Sequence, residues 1–251
     1  MTGLLAGKVV VVTAAAGAGI GRAAARRCLE EGASVVLSDR HERRLAETAA
    51  ELAGAHPGRV HALSCDVTVE DQVRTLLDGA AGHFGRIDVM INNAGLGGDR
   101  SILEMSDEDW TAVLDVTLTG TFRCTRAVLR HMVARGGGGA VVNNASVIGW
   151  RAQRGQAHYA AAKAGVMALT RCAALDVAAH GIRVNAVAPS LAMHPFLART
   201  TSSELLTELA GREAFGRAAQ PWEVANVMVF LASDLAGYLT GEVISVSSQH
   251  P

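Results

Sequence analysis

Ser146, Tyr159 and Lys163 are residue types that can move a proton to or from an alcohol. Tyr159 and Lys163 stand four apart near the start of a stretch that reads as helical, so they share a face. A free phenol titrates at about 10. A neighbouring ammonium lowers that value, and the spacing therefore predicts a depressed Tyr159 pKa. Such a tyrosine could take the hydroxyl proton while a hydride leaves the carbinol carbon, with Ser146 hydrogen-bonded to the same oxygen. Tyr and Lys at this spacing also occur on solvated helix faces, so the pair needs support from elsewhere in the chain.

That support lies upstream. Thr13-Ala-Ala-Ala-Gly-Ala-Gly-Ile-Gly21 falls between a first buried strand and its helix. A helix start presents unpaired N–H groups and partial positive charge to a pyrophosphate. Gly17, Gly19 and Gly21 let backbone approach it closely, with Ile20 between them. A glycine-rich turn alone is weak evidence; in this place, with an acid ending the second strand, it reads as a dinucleotide site. Asp39 is that acid, 18 residues past Gly21, where a carboxylate can accept from both ribose hydroxyls and repel a 2′-phosphate. It favours NAD over NADP. Arg40, directly after it, could pair with a phosphate and pulls the other way. Lys163 could then bind the nicotinamide ribose while tuning Tyr159.

The elements needed to position these groups can be read from hydrophobic runs. Strands are predicted at Val9–Val12, Ser34–Ser38, Val60–Ser64, Ile87–Ile91, Ala140–Asn143, Ile182–Val187 and Glu242–Val246. Helices are predicted at Arg22–Glu31, Glu42–Ala53, Glu70–Phe84, Asp107–Arg135, Ala157–His180 and Trp222–Ser233. Ser106 and Asp109 suit a capping box for the Asp107–Arg135 helix. Strand and helix alternate with short links, which predicts an α/β, doubly wound, seven-stranded parallel sheet with helices on both faces. No linker or repeat interrupts the pattern, so residues 1–251 are read as a single domain.

Bulk properties agree. Hydrophobic residues are 49% and aromatics 4%, so the core must be aliphatic, as helices on a Val-rich sheet require. A net charge of −1 favours neither nucleic acid nor an anionic membrane as partner. Cys28, Cys65, Cys124 and Cys172 are widely spread and are expected to be buried free thiols in a reducing compartment. The N-terminal segment has no bilayer-length apolar run, which together with the cysteines points to the cytoplasm. The histidines show no metal-like spacing, so no metal is expected.

Taken together these motifs resemble the short-chain dehydrogenase/reductase family, in chains of about this length and over essentially the whole sequence. The family's glycine loop matches Gly19-Ile20-Gly21, its adenine-contacting acid matches Asp66-Val67, and its structural motif matches Asn92-Asn93-Ala94-Gly95. Its Ser, Tyr and Lys fall on Ser146, Tyr159 and Lys163. Ile182–Pro189 resembles the strand and turn that close over the nicotinamide, which brings Pro189 and Ala192 into the cofactor set. The resemblance implies a Rossmann-like fold, an oxidoreductase of CH–OH groups using NAD, and a homotetramer or homodimer. The TAAAGAGIG loop and the Ser-Ser-Gln ending resemble actinobacterial members that act on steroid-ring-derived hydroxyacyl coenzyme A thioesters.

The departures matter. Ala14 stands where the family has glycine, one residue is added, and Gly17 is expected to stand in. Thr117 occupies the place of an Asn that helps hold a proton-relaying water in the family. Ser190 replaces a glycine after Pro189. Thr117 motivates an alternative reading, a dinucleotide-binding sensor without turnover; a second alternative is an NADPH-dependent 3-oxoacyl-thioester reductase. Trp150, Gln153 and Gln156 sit between Ser146 and Tyr159, where Trp150 either shapes a substrate pocket or caps the sheet edge. His158 is given a structural role. Leu191–Ala214 is expected to form a lid, whose Leu191, Met193, Phe196 and Leu197 suggest a largely apolar substrate.

Overall fold

The structure, a computed structural model, describes residues 3–193 and 203–248. Phe196 and Leu197 of the expected lid lie outside the described residues, as does the end of the chain. Seven parallel strands form one sheet: β1 (Val9–Thr13), β2 (Ser34–Asp39), β3 (Val60–Ser64), β4 (Val89–Asn92), β5 (Gly139–Asn144), β6 (Ile182–Pro189) and β7 (Val243–Val246). Their order is β3-β2-β1-β4-β5-β6-β7. The winding reverses between β1 and β4, which opens a crevice at the carboxyl ends of those two strands. Thr13 ends one of them and Asn92-Asn93 ends the other, so the glycine loop and the Asn-Asn-Ala-Gly turn face each other there.

Strand alternation explains the two-sided core. Val10 and Val12 point to one face, among Ala24, Ala25 and Cys28 of α1 (Ile20–Glu30), while Val11 points to the other, with Val73, Leu76 and Cys124. All of these are at most 1% exposed. Full burial of each Val or Leu side chain is worth about 1.5–3 kcal/mol. The remaining helices are α2 (Glu42–Ala55), α3 (Glu70–Phe84), α4 (Asp107–Leu114), α5 (Gly120–Arg135), α6 (Ala157–Val177), α7 (Ser203–Arg212) and α8 (Pro221–Ala232). Among the described residues, no helix is long and apolar enough to cross a membrane.

The structure corrects three expectations. The stretch 107–135 is not one continuous α-helix. It starts with the expected capping box, Ser106 Oγ accepting from the Asp109 amide at 3.1 Å. A π-helical turn, Asp115–Thr119, then separates α4 from α5. It is centred on Thr117, whose hydroxyl is engaged with backbone outside the helix, an insertion that periodicity does not report. Secondly, Cys172 is exposed; α6 covers the sheet with one face, and position 172 falls on the other. Cys28, Cys65 and Cys124 are buried.

Thirdly, Gly17 does not relieve position 14. Gly17 does have a positive φ of 85°, but Ala14 keeps the left-handed conformation itself, with φ 49°. It is the one non-glycine residue with positive φ among the described residues. Gly21 is needed for another reason: a Cβ there would collide with the Ala14 carbonyl oxygen and the Asn93 amide nitrogen. A left-handed L-residue costs about 1–2 kcal/mol. Ala14→Gly removes that strain at some cost in unfolded-chain entropy, and is expected to raise unfolding stability by up to about 1 kcal/mol in urea melts.

Candidate active site

The glycine loop leaves β1 at Thr13 and enters α1 through Gly19 as N-cap. Gly19 makes no side-chain cap, and the first turn of α1 holds no acid. The leading N–H groups of α1 are thus left for an anion rather than taken by the chain's own carboxylates. Gly17 and Gly19 have open space where a Cβ would stand. Asp39, at the end of β2, is 9% exposed and reaches back to this loop: its Oδ2 accepts from the Ala16 amide at 3.3 Å and its Oδ1 from the His41 amide at 2.9 Å. The exposed Arg40 lies close enough to Asp66 to act on its charge. Burial opposes ionisation of Asp66, but the amide and hydroxyl of Thr68 bond its carboxylate, and with Arg40 and Arg123 nearby its pKa falls below the ordinary value. Val67 is buried beside Gly120, where a Cβ would collide with it. These residues suit an anionic dinucleotide: free helix-start amides, glycines giving room, and carboxylates spaced from them.

Across the crevice Thr13 Oγ1 accepts from the amides of Asn93 (2.9 Å) and Ala94 (3.0 Å). Asn93 Nδ2 donates to the carbonyls of Thr13 and Ala14, both at 3.2 Å. Gly95 then passes the Lys163 ammonium, with room for a Cβ at 3.5 Å from Nζ.

Ser146, Tyr159 and Lys163 come together at the end of β5. Ser146 caps a short 3-10 turn, its Oγ accepting from the Ile148 amide at 3.3 Å and lying 3.5 Å from the Pro189 carbonyl. It stands close enough to Tyr159 to stabilise the phenolate form by hydrogen bonding. Lys163 Nζ lies 5.4 Å from the Tyr159 ring centroid and donates to the Asn144 carbonyl. Ala192, 6% exposed, is anchored by a bridge to Ala219.

The electrostatics differ from the expectation of a depressed tyrosine. Burial pushes the Tyr159 phenol up to about 12, outweighing the bond with Ser146. Burial pushes Lys163 down to about 7, so much of the positive charge expected to lower Tyr159 is itself disfavoured. The Thr117 hydroxyl is engaged with backbone: it accepts from the Leu96 amide (2.9 Å) and donates to the Leu96 carbonyl (3.0 Å). Its only proton is spent on the loop that follows Gly95.

That loop forms one wall of a cleft. Gly97 lies against the Tyr159 ring, Gln156 Nε2 donates to the Gly98 carbonyl, and the Arg100 amide donates to the Gly155 carbonyl at 3.0 Å. A separate groove of about 460 Å³ is lined by Arg100, Ile102, Gln153 and Arg154 among others; Ser146 and Tyr159 are outside its lining. Trp150, 43% exposed, is outside its lining, and His158 is buried with Nδ1 accepting from the Tyr159 amide at 2.9 Å. Sequence reasoning did not single out Arg100 and Arg154, which line this groove, or Asn144, whose carbonyl accepts from Lys163. The arginines carried no spacing signal; Asn144 could have been noticed as a polar residue closing an apolar strand.

A family model described as enoyl-(acyl carrier protein) reductase matches residues 14–248. The chain is 63% identical, over 99% of its length and 95% of the relative's, to a Mycobacterium tuberculosis protein named (5R,7aS)-5-hydroxy-7a-methyl-1-oxo-2,3,5,6,7,7a-hexahydro-1H-indene-carboxyl-CoA reductase. It is 44% identical to the cis-4-hydroxycyclohexanecarboxylate dehydrogenase of Sinomonas cyclohexanicum, over 95% of this chain and 94% of that one. The crystal structure of a short chain dehydrogenase from Mycobacterium smegmatis superposes with a TM-score of 0.89 at 55% identity, covering 99% of this chain and 95% of that chain. The chain belongs to the short-chain dehydrogenase/reductase family. It is an oxidoreductase of the kind that moves a hydride between a nicotinamide dinucleotide and a CH–OH group.

The buried lysine makes a pH prediction. Its folded pKa lies below its ordinary value of 10.5, so its desolvation penalty is fully present below about 7 and is relieved as pH rises from there towards 10.5. In melts without added cofactor, Lys163→Met is expected to raise Tm over the wild type most below pH 7. The gain should shrink steadily across that window; a gain that does not vary with pH would contradict it.

Proposed function

We propose that the protein reduces a ring ketone on an alicyclic, steroid-derived acyl coenzyme A thioester, using NADH. The 63% identity to the Mycobacterium tuberculosis indene-carboxyl-CoA reductase, sustained over nearly all of both chains, carries this reading. A groove between residues 100–102 and 152–155 supports it: Arg154, and Arg100 beside its ion pair with Asp109, offer charge to the phosphates of a coenzyme A arm, while Ile102 and Ala152 offer apolar wall.

In this reading the glycine loop and the start of α1 hold the pyrophosphate, with Gly17, Gly19, Ile20 and Gly21 as its cradle. Asp39 accepts from the adenosine ribose, Asp66 and Val67 border the adenine, and Asn93, Ala94, Gly95, Pro189 and Ala192 line the nicotinamide end. The bound dinucleotide supplies the hydride. Ser146 holds the carbonyl oxygen by hydrogen bond. Tyr159 donates its phenolic proton to that oxygen as negative charge develops on it. Lys163, in its charged form, holds the nicotinamide ribose and stabilises the phenolate left behind. A phenol raised by burial stays protonated at neutral pH, the form needed to donate to a ketone oxygen. Assembly as a homotetramer or homodimer, and a place in the cytoplasm, belong to the same proposal, as does the reading of the chain as one domain.

Fluorescence titration with both dinucleotides tests the cofactor. NADH is expected to bind at least tenfold more tightly than NADPH, and Asp39→Ala to remove most of that preference; tighter NADPH binding would mean that Arg40 prevails over Asp39. For the chemistry, Tyr159→Phe is expected to lower kcat by a factor of about 100 or more while NADH affinity changes by less than about threefold. Undiminished turnover in that variant would remove Tyr159 from the mechanism.

A further inference from the structure

Asn144 is the last residue of β5, two before Ser146, and both ends of the residue are engaged in different parts of the site. Its backbone carbonyl accepts from Lys163 Nζ. Its side-chain Nδ2 donates to Asn93 Oδ1 at 2.9 Å. Asn93 in turn donates to the carbonyls of Thr13 and Ala14, the start of the glycine loop. A continuous chain of hydrogen bonds therefore runs from the lysine through one residue to the left-handed Ala14 turn.

The orientation of these amides is determined by their partners. The carbonyls of Thr13 and Ala14 can only accept, so Asn93 must turn Nδ2 towards them and Oδ1 towards Asn144. Asn144 must then present its own Nδ2, and its Oδ1 is left buried without a hydrogen-bond partner. A buried, unfilled acceptor costs about 1–3 kcal/mol. Asn144 is only partly buried and follows the buried Asn143, but it shares a strand face with the fully buried Val142, where an apolar side chain would leave no acceptor unfilled. A polar residue retained at a cost in stability is the pattern expected where position serves function.

We propose that Asn144 is a positioning residue that couples seating of the dinucleotide in the glycine loop to the placement of Lys163. It touches neither reacting group through its side chain; it acts through Asn93 on one side and Lys163 on the other. The inference rests on the dinucleotide site proposed above, and its readout is binding rather than turnover of the substrate.

The test is a double-mutant cycle on NADH affinity, measured by fluorescence titration. Asn144→Leu keeps the side-chain size and removes both polar atoms. It is expected to weaken NADH about tenfold, and to move the pH midpoint of NADH affinity downwards, because the backbone carbonyl that accepts from the lysine remains but is no longer held in place through Asn93. In a Lys163→Ala background the same change should cost less than about threefold, because the link it breaks no longer has a far end. Tm should fall little, since the orphaned Asn144 Oδ1 is removed and Asn93 Oδ1, which loses its donor, takes its place as the one unfilled acceptor. Asn144→Ser, which keeps a hydroxyl that can donate to Asn93, should recover part of the affinity and carries the cycle if the leucine variant fails to fold. Fully additive losses, or unchanged NADH affinity with a lowered Tm, would reduce Asn144 to a packing residue and overturn the proposal. A wild-type protein that binds neither dinucleotide would sink the parent reading and this one with it, an outcome recognisable before any variant is made.

Discussion

Two carbonyls at the end of β1 set the terms for the rest of the site. Thr13 and Ala14 must turn the chain into α1 within a few residues, and the turn is tight enough that Gly21 has no room for a Cβ. Ala14 adopts a left-handed conformation to make it. Backbone strained in this way persists only where surrounding contacts over-determine it. Here the contacts come from the neighbouring strand, because Asn93 bonds both carbonyls and Thr13 Oγ1 bonds the Asn93 and Ala94 amides in return. The winding reversal between β1 and β4 makes this exchange possible, since it places the two strand ends side by side with nothing of the chain between them.

From that exchange the order spreads along the carboxyl edge of the sheet. Asn144 extends it from β4 to β5, and Lys163 closes it from α6. Deeper in the sheet a parallel chain joins the same elements: Asn92 donates to Thr125 and Asn143, and Asn143 donates to Thr170. The deeper chain is fully buried in layers that are otherwise aliphatic, so each of its bonds forms in a low dielectric and tolerates little displacement. The π-turn at Thr117 belongs to the same construction. Its hydroxyl ties the long helical stretch to Leu96, and so steadies the loop that borders Tyr159.

Burial also decides the electrostatics. Tyr159 and Lys163 stand four positions apart on one helix, and in water such a pair would favour phenolate beside ammonium. In this site both groups are taken out of water, and desolvation opposes charge on each. The phenol stays protonated and the lysine is left near its titration point. A protonated phenol is thereby set beside an amine whose charge depends on what binds next to it.

Much of this was legible in one dimension. The alternation of apolar strands with Ala-rich helices determined a doubly wound parallel sheet, because strands buried on both faces must be continuous hydrophobic runs. Residue type and local order were enough to single out Ser146, Tyr159, Lys163, Asp39 and the glycines, since each lies at the end of a strand or the start of a helix. Other features depend on what distant segments do to one another. Ala14, not Gly17, carries the left-handed turn because β4 holds it there. Thr117 spends its proton on Leu96 because a loop from 21 positions earlier passes it. The direction of the Tyr159 shift follows from how much water the packed layers exclude. Periodicity reports which face of an element is apolar; hydrogen-bond partners, strain and desolvation arise only when non-neighbouring parts of the chain meet.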